Sequence, residues 1–329
     1  MTTLFIDRRD AAIEAEGGTL VIRSGEEGPW RTPLALLERV VLRGPAQITT
    51  GAIGAIAAAG CGLFVLSGRR SEPAGMLVGR PHNDAAIRLG QYRLATEPES
   101  RRRIAALIVR HKLVGQARVL RGALAQRPDR RLALRRGIEA IAELLERLRS
   151  DEGRSENRLS GLEGAAAAAY FEAYTSLFPP SLGFVGRNRR PPRDPVNAVL
   201  SLAYTLGHFE AVREAHLAGL DPGVGFLHAL APGRDSLACD LVEPLRPLID
   251  RWVWRLFADE VLRGAHFSRD GEACLLGKAG RLAFYAAWEE AFLVPRRLLR
   301  RGLRPLVRAA RAAAQALPDG VFDAAGPAS

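Results

Sequence analysis

The chain has 329 residues, 47% of them hydrophobic, and a formal net charge of +11; that is length enough for roughly two domains with a sizeable core, and too apolar for bulk disorder. No apolar run reaches the roughly 18 residues of a membrane span, and the Met1 end lacks the apolar core of a secretory signal. The dispersed cysteines, Cys61, Cys239 and Cys274, fit neither a disulfide framework nor a zinc knuckle and point to a reducing cytoplasm.

The basic residues are nearly all arginine, with Lys112 and Lys278 the only lysines. Guanidinium forks bind phosphate oxygens bidentately, so the excess charge favours an anionic partner such as nucleic acid. Codon bias in a GC-rich genome accounts for arginine over lysine, but not for the surplus over acids.

Residues 1–80 read as a small β-rich domain. LFID, AAIEAE, TLVIRS, RVVLRG and LFVLSG alternate partly with period two, and Gly17-Gly18, Gly25 to Gly28 and Gly68 punctuate them. One helix interrupts, TTGAIGAIAAAG, with Thr49 or Thr50 as its cap and Gly60 as its stop. A linker is expected over 81–92, and 93–315 read as helical. IAALIVRHKLVGQARVLRGAL and RGIEAIAELLERL carry apolar residues at three- and four-residue spacing, and 150–157 is a polar break. In RDPVNAVLSLAYTLGH, Asp194 fits an N-cap, Pro195 the first helical position and Gly207 the stop; HFEAVREAHLAGLDPG then forms another helix ending at Gly219. Gly302 and Pro305 are expected to break the last helix, and 316–329 to form a flexible tail. A β-rich domain followed by a larger all-α domain is an α+β organisation, without βαβ alternation and without a glycine-rich phosphate loop.

Three places combine acidic or imidazole groups with a helical frame. Glu163 follows Ser160 at capping-box spacing and precedes five alanines, so it fits either a cap or an acid at a buried seam. His228 ends a short apolar turn, where a histidine is either a satisfied core group or a ligand. Asp240 and Glu243 share a helix face and repel unless a cation or arginine lies between them; Arg246 and Arg251 are candidate partners. Pro244 and Pro247 lack the N–H groups that the carbonyls of Asp240 and Glu243 would use, so this segment is either a distorted helix or one starting at Pro244. Two carboxylates and an imidazole make a mixed O/N set suited to Mn²⁺, or to Mg²⁺ with retained waters, rather than to structural zinc. A hard cation beside an arginine-rich surface points to phosphodiester chemistry.

Taken together, LEGAAAAAYF, RRPPRDPVNAVLSLAYTLG, GLDPGVGFLH and SLACDLVEPLRPLIDR resemble, in order, the signature blocks of the CRISPR-associated adaptation integrases, the universal spacer-acquisition endonucleases. VVLRGPAQITTGAIGAIAAAGCGLFVLSGR resembles the N-terminal β domain of that family, and the likeness runs over about residues 1–295. The resemblance implies a dimerising β domain and an α-helical catalytic domain. It implies a metal site of Glu163, His228 and Glu243 holding Mg²⁺ or Mn²⁺, with Asp240 as an adjacent acid and Asn197 supporting the site. It implies two dimers flanking a dimer of the small second adaptation protein, which is not fused to this chain. The assembly would join 3′-hydroxyl ends of short duplex DNA to a repeat by transesterification. Many members have aspartate where this chain has Glu243, whose reach is about one methylene longer.

Three arginine groups are expected to contact DNA. Arg187, Arg189, Arg190 and Arg193 precede the Asp194 cap, Arg246 sits beside Glu243, and Arg297, Arg301, Arg304, Arg308 and Arg311 stripe an ideal helix. The alternatives are a non-catalytic basic DNA-binding scaffold and a helical RNA-binding protein; the low aromatic content, 6%, disfavours base stacking.

Overall fold

The structure, a computed structural model, describes residues 2–25, 27–68, 71–79, 82–150, 156–188 and 191–316. Strands β1 (Thr2–Ile6), β2 (Ala11–Glu16), β3 (Thr19–Ser24), β4 (Glu27–Pro33), β5 (Leu37–Arg43) and β6 (Ala46–Ile48) precede helix α1 (Thr50–Ala58), and β7 (Gly62–Ser67) and β8 (Glu72–Leu77) follow it. They make two sheets, ordered β1-β5-β7-β8 and β4-β3-β2-β6. Each of the five sequence runs read as strands lies in one of them. Thr49 caps α1 by accepting from the Ala52 N–H, and Gly60 at φ +71° turns the chain into β7.

Period-two alternation gives β5 two uses. Val40 and Leu42 join Leu4, Ile13, Leu20 and Ile56 in a core inside the β region. Val41 faces the other way with Phe64 and Leu66, into the large helical core. Arg39 on that outer face is buried against the helices, where its Nε lies 2.5 Å from Glu210 and its Nη1 donates to Thr3 at 2.8 Å. A buried guanidinium demands such partners.

The helical part contains α2 (Ala85–Thr96), α3 (Pro98–Gln126), α4 (Arg131–Arg149), α5 (Glu156–Thr175), α6 (Pro195–Leu217), α7 (Ser236–Val242) and α8 (Arg246–Ala258). A hairpin of β9 (Phe267–Asp270) and β10 (Ala273–Leu276) follows, then α9 (Lys278–Ala291) and α10 (Leu293–Gln315). Among the described residues no helix is long and apolar enough to cross a membrane.

Several expectations change here. The stretch 81–92, read as a linker, is helical from Ala85, because α2 is clamped by α10: a Cβ on Gly90 would stand 1.7 Å from the Ala310 carbonyl oxygen. The helical part is not purely α, since β9 and β10 pair in it. Gly207 does not stop a helix; α6 runs on to Leu217, and the missing side chain leaves room for Ile249 and Phe292. Gly302 and Pro305 do not break α10, which carries Pro305 inside it and gives up only the bond to the Arg301 carbonyl. Of the proposed tail, residues 317–329 lie outside the described residues.

Candidate active site

Glu163 lies within α5, which is already running at Glu156, so the capping-box reading of Ser160 and Glu163 does not hold. Its carboxylate, half-buried, pairs instead with the ammonium of Lys112 on α3. The same ammonium lies 2.5 Å from Glu243 Oε2. Close packing of α3 on the start of α8 brings this about. Gly115, three residues beyond Lys112, leaves its space to Pro247, whose Cγ would lie 3.0 Å from an added Cβ.

Glu243 opens a 3-10 turn, Glu243–Leu245, between α7 and α8. Backbone angles at Val242, Glu243, Leu245 and Arg246 stay in the right-handed helical region. The segment is therefore a distorted helix rather than one beginning at Pro244, and the two prolines are the cause. Burial pushes the Glu243 carboxyl up, but Arg246, Lys112 and His228 together hold it below its ordinary value. Arg246 Nε lies 2.9 Å from Glu243 Oε1, and its guanidinium stacks over the Tyr204 ring at 4.5 Å.

Asp240 is fully buried and acts as a loop anchor. Oδ2 accepts from the backbone N–H groups of Phe226 at 2.6 Å and Leu227 at 3.0 Å; Oδ1 accepts from the His228 N–H at 3.0 Å and meets His228 Nδ1 at 2.6 Å. The imidazole thus directs Nδ1–H to the acid and leaves Nε2 as the ring nitrogen outside that bond. Gly225 makes the turn possible, since a Cβ there would stand 2.8 Å from Asp240 Oδ2.

Asn197, fully buried, builds the loop before α6. Its Oδ1 accepts from Arg187 Nη1 at 2.6 Å and the Asn188 N–H at 3.0 Å; its Nδ2 donates to the Gly186 carbonyl at 2.8 Å and to Asp194 Oδ2 at 2.6 Å. Asp194 caps α6 through the Asn197 N–H at 2.8 Å. Arg187 also lies over Tyr204, at 5.3 Å, so Arg187 and Arg246, read as phosphate contacts, both have guanidiniums engaged inside the protein. Arg193 is exposed and reaches Glu272 at 3.1 Å. Arg189 and Arg190 lie outside the described residues.

The structure therefore places Glu163 and Glu243 on one cationic centre, with His228 near enough to Glu243 to favour its charged form. As the side chains stand, no three His, Cys, Asp or Glu groups among the described residues close on a point that would hold a metal ion, and Lys112 is the cation between the two glutamates. The donor set nonetheless fits a hard divalent ion. Two carboxylates from separate helical segments already share a positive charge, and the neighbouring imidazole has one nitrogen fixed and the other open. Sequence reasoning missed Tyr204 and the buried Asp250, whose Oδ1 accepts from the Tyr204 hydroxyl and whose carbonyl accepts from Tyr174 at 2.7 Å. It also left Lys112 unassigned, although the rarity of lysine in this chain was the available signal.

Comparison with known proteins bears on this arrangement. The family model described as CRISPR associated protein Cas1 matches residues 4–290. Over 298 residues the chain is 38% identical to the CRISPR-associated endonuclease Cas1 1 of Thermodesulfovibrio yellowstonii, spanning 88% of this chain and 91% of that one. Among solved structures it is similar to a casposase bound to integration product, with a TM-score of 0.83 at 21% identity over 95% of this chain and 91% of that one. A chain of a Cas6-RT-Cas1–Cas2 complex matches with a TM-score of 0.79 at 21% identity, over 94% of this chain and 35% of that one. These two structural likenesses establish the fold.

Proposed function

The chain belongs to the CRISPR-associated Cas1 family, and from that premise we propose that it is a divalent-metal-dependent DNA endonuclease and integrase, joining 3′-hydroxyl ends of short duplex DNA to a CRISPR repeat. The observation that carries this reading is the meeting of Glu163 and Glu243 on one positive charge, beside a histidine whose orientation Asp240 dictates. Glu163, Glu243 and His228 Nε2 would hold Mg²⁺ or Mn²⁺. Such an ion polarises a phosphate and lowers the pKa of an attacking hydroxyl.

The protein's own groups do the positioning. Asp240 fixes the His228 tautomer, Arg246 sets the Glu243 rotamer through Oε1, and Asn197 shapes the loop that carries Arg193 toward solvent. Arg193 and the exposed stripe on α10, Arg297, Arg301, Arg304, Arg308 and Arg311, supply duplex backbone contacts without sequence preference. No covalent protein intermediate is needed, because the nucleophile is the DNA hydroxyl.

The curated relative is named an endonuclease and the similar casposase was solved on an integration product, which supports strand joining as the reaction class. The similar chain was solved in a Cas6-RT-Cas1–Cas2 complex, which supports the small second adaptation protein as partner; in the assembly we propose, two dimers of this chain are bridged by its dimer. In this reading residues 1–80 dimerise, 93–315 carry the chemistry, and the protein works in the cytoplasm.

A strand-transfer assay tests the proposal: supercoiled plasmid carrying a repeat, a short duplex, and Mg²⁺ or Mn²⁺ against EDTA. Glu163→Ala, His228→Ala and Glu243→Ala should each abolish joining while DNA binding survives. Joining that persists in EDTA, or in His228→Ala, would overturn the metal-site reading; duplex binding by the wild type without any joining would favour the non-catalytic scaffold.

A further inference from the structure

Lys112 is one of two lysines in a chain with 47 basic residues. It is 6% exposed, lies on α3, and its ammonium touches both Glu163 and Glu243. Arginine would fork onto carboxylates bidentately and hold them; lysine offers a compact charge on a flexible stem. One helical turn further on, Gln116 is buried and its Oε1 accepts no hydrogen bond from any described residue.

We propose that Lys112 is a positioning residue, an internal cation that holds Glu163 and Glu243 together until a divalent ion displaces its ammonium. The inference rests on the metal-dependent reading above and adds to it a cause for the site's assembly before loading. Two carboxylates on separate helical segments repel, and without a cation between them the largely buried Glu243 would lose a counter-charge. The ammonium removes that repulsion. It also opposes loading, because the incoming ion must take the place of a charge already in contact with both ligands. The lysine thereby tunes the site toward reversible metal binding, with the carboxylates already in place.

The test measures Mn²⁺ affinity by isothermal titration and by electron paramagnetic resonance of free Mn²⁺, together with thermal unfolding in EDTA. The proteins are wild type, Lys112→Met, Lys112→Arg and Glu163→Gln. Lys112→Met should melt earlier than wild type in EDTA, yet bind Mn²⁺ about tenfold more tightly. A merely structural lysine would leave affinity unchanged or weaken it. Lys112→Arg should keep its stability in EDTA and bind Mn²⁺ several-fold more weakly, and it decides the matter if Lys112→Met does not fold without metal. If Glu163→Gln loses Mn²⁺ binding but both Lys112 variants bind like wild type, the metal reading stands and the role of Lys112 is overturned. If wild type and Lys112→Met both fail to bind Mn²⁺, both fall.

Discussion

The carboxylate of Asp240 meets His228 Nδ1 at 2.6 Å while accepting backbone N–H groups from Phe226, Leu227 and His228 itself. One buried acid thus sets both the loop and the tautomer. Asp240→Asn places an amide donor against N–H donors and should cost about 2–4 kcal/mol of stability. Gly225→Ala crowds the same carboxylate and should cost about 1–3 kcal/mol. Chemical denaturation reads the loss, and strand joining should fall in both variants while duplex binding holds. Wild-type joining by Asp240→Asn would remove the positioning role.

Burial pushes the Asp250 carboxyl up to about 6, against the lowering effect of the Tyr204 hydroxyl and Arg246. The fold thus binds a proton that the unfolded chain, with an ordinary aspartate, has released by about pH 5. This contribution is complete below about pH 4 and is lost as the pH rises through 6, up to about 3 kcal/mol. Asp250→Asn should abolish that slope. The difference between melting temperatures of wild type and variant, followed from pH 4 to 7, measures it; a constant difference would contradict the assignment.

His208 behaves in the opposite range. Burial lowers its pKa, but hydrogen bonds with Asp235, at 3.2 Å, and Cys239 outweigh this and raise it to about 9. Its charged form ties α6 to the start of α7. The contribution is complete below about pH 6.5 and lost as the pH climbs through 9. His208→Gln should therefore destabilise by about 1–3 kcal/mol at pH 7 and by little at pH 10. Equal destabilisation at both values would show that packing, not charge, is responsible.

Arg301, Arg304 and Arg308 are exposed on one unbroken helix. Replacing all three with alanine should weaken duplex binding uniformly across sequences. The slope of log affinity against log salt should fall by up to about 3, since each phosphate contact contributes roughly 0.9. An unchanged slope would place the DNA elsewhere.

Local signals were sufficient wherever one stretch of chain settles its own conformation. The Thr49 and Asp194 caps, the Gly60 and Gly219 exits and the alternating strand runs are such cases. Local reasoning failed where a glycine or proline answers to a distant neighbour. Gly207 reads as a stop but makes room for Ile249 and Phe292, and Gly90 reads as part of a linker but admits Ala310. Strands β4, β6 and β8 escaped because their runs are short or interrupted by Gly and Pro and depend on pairing partners.

By itself the amino-acid order determined the β-then-α succession, the basic character and, through a resemblance, which acids and which histidine to watch. Only the tertiary structure decided that Lys112 stands between Glu163 and Glu243, that Asp240 serves His228, and that Arg187 and Arg246 turn inward onto Tyr204. The reason is physical. Periodicity and capping act over a few residues, whereas charge pairing and close packing act across space between segments that sequence separation does not relate.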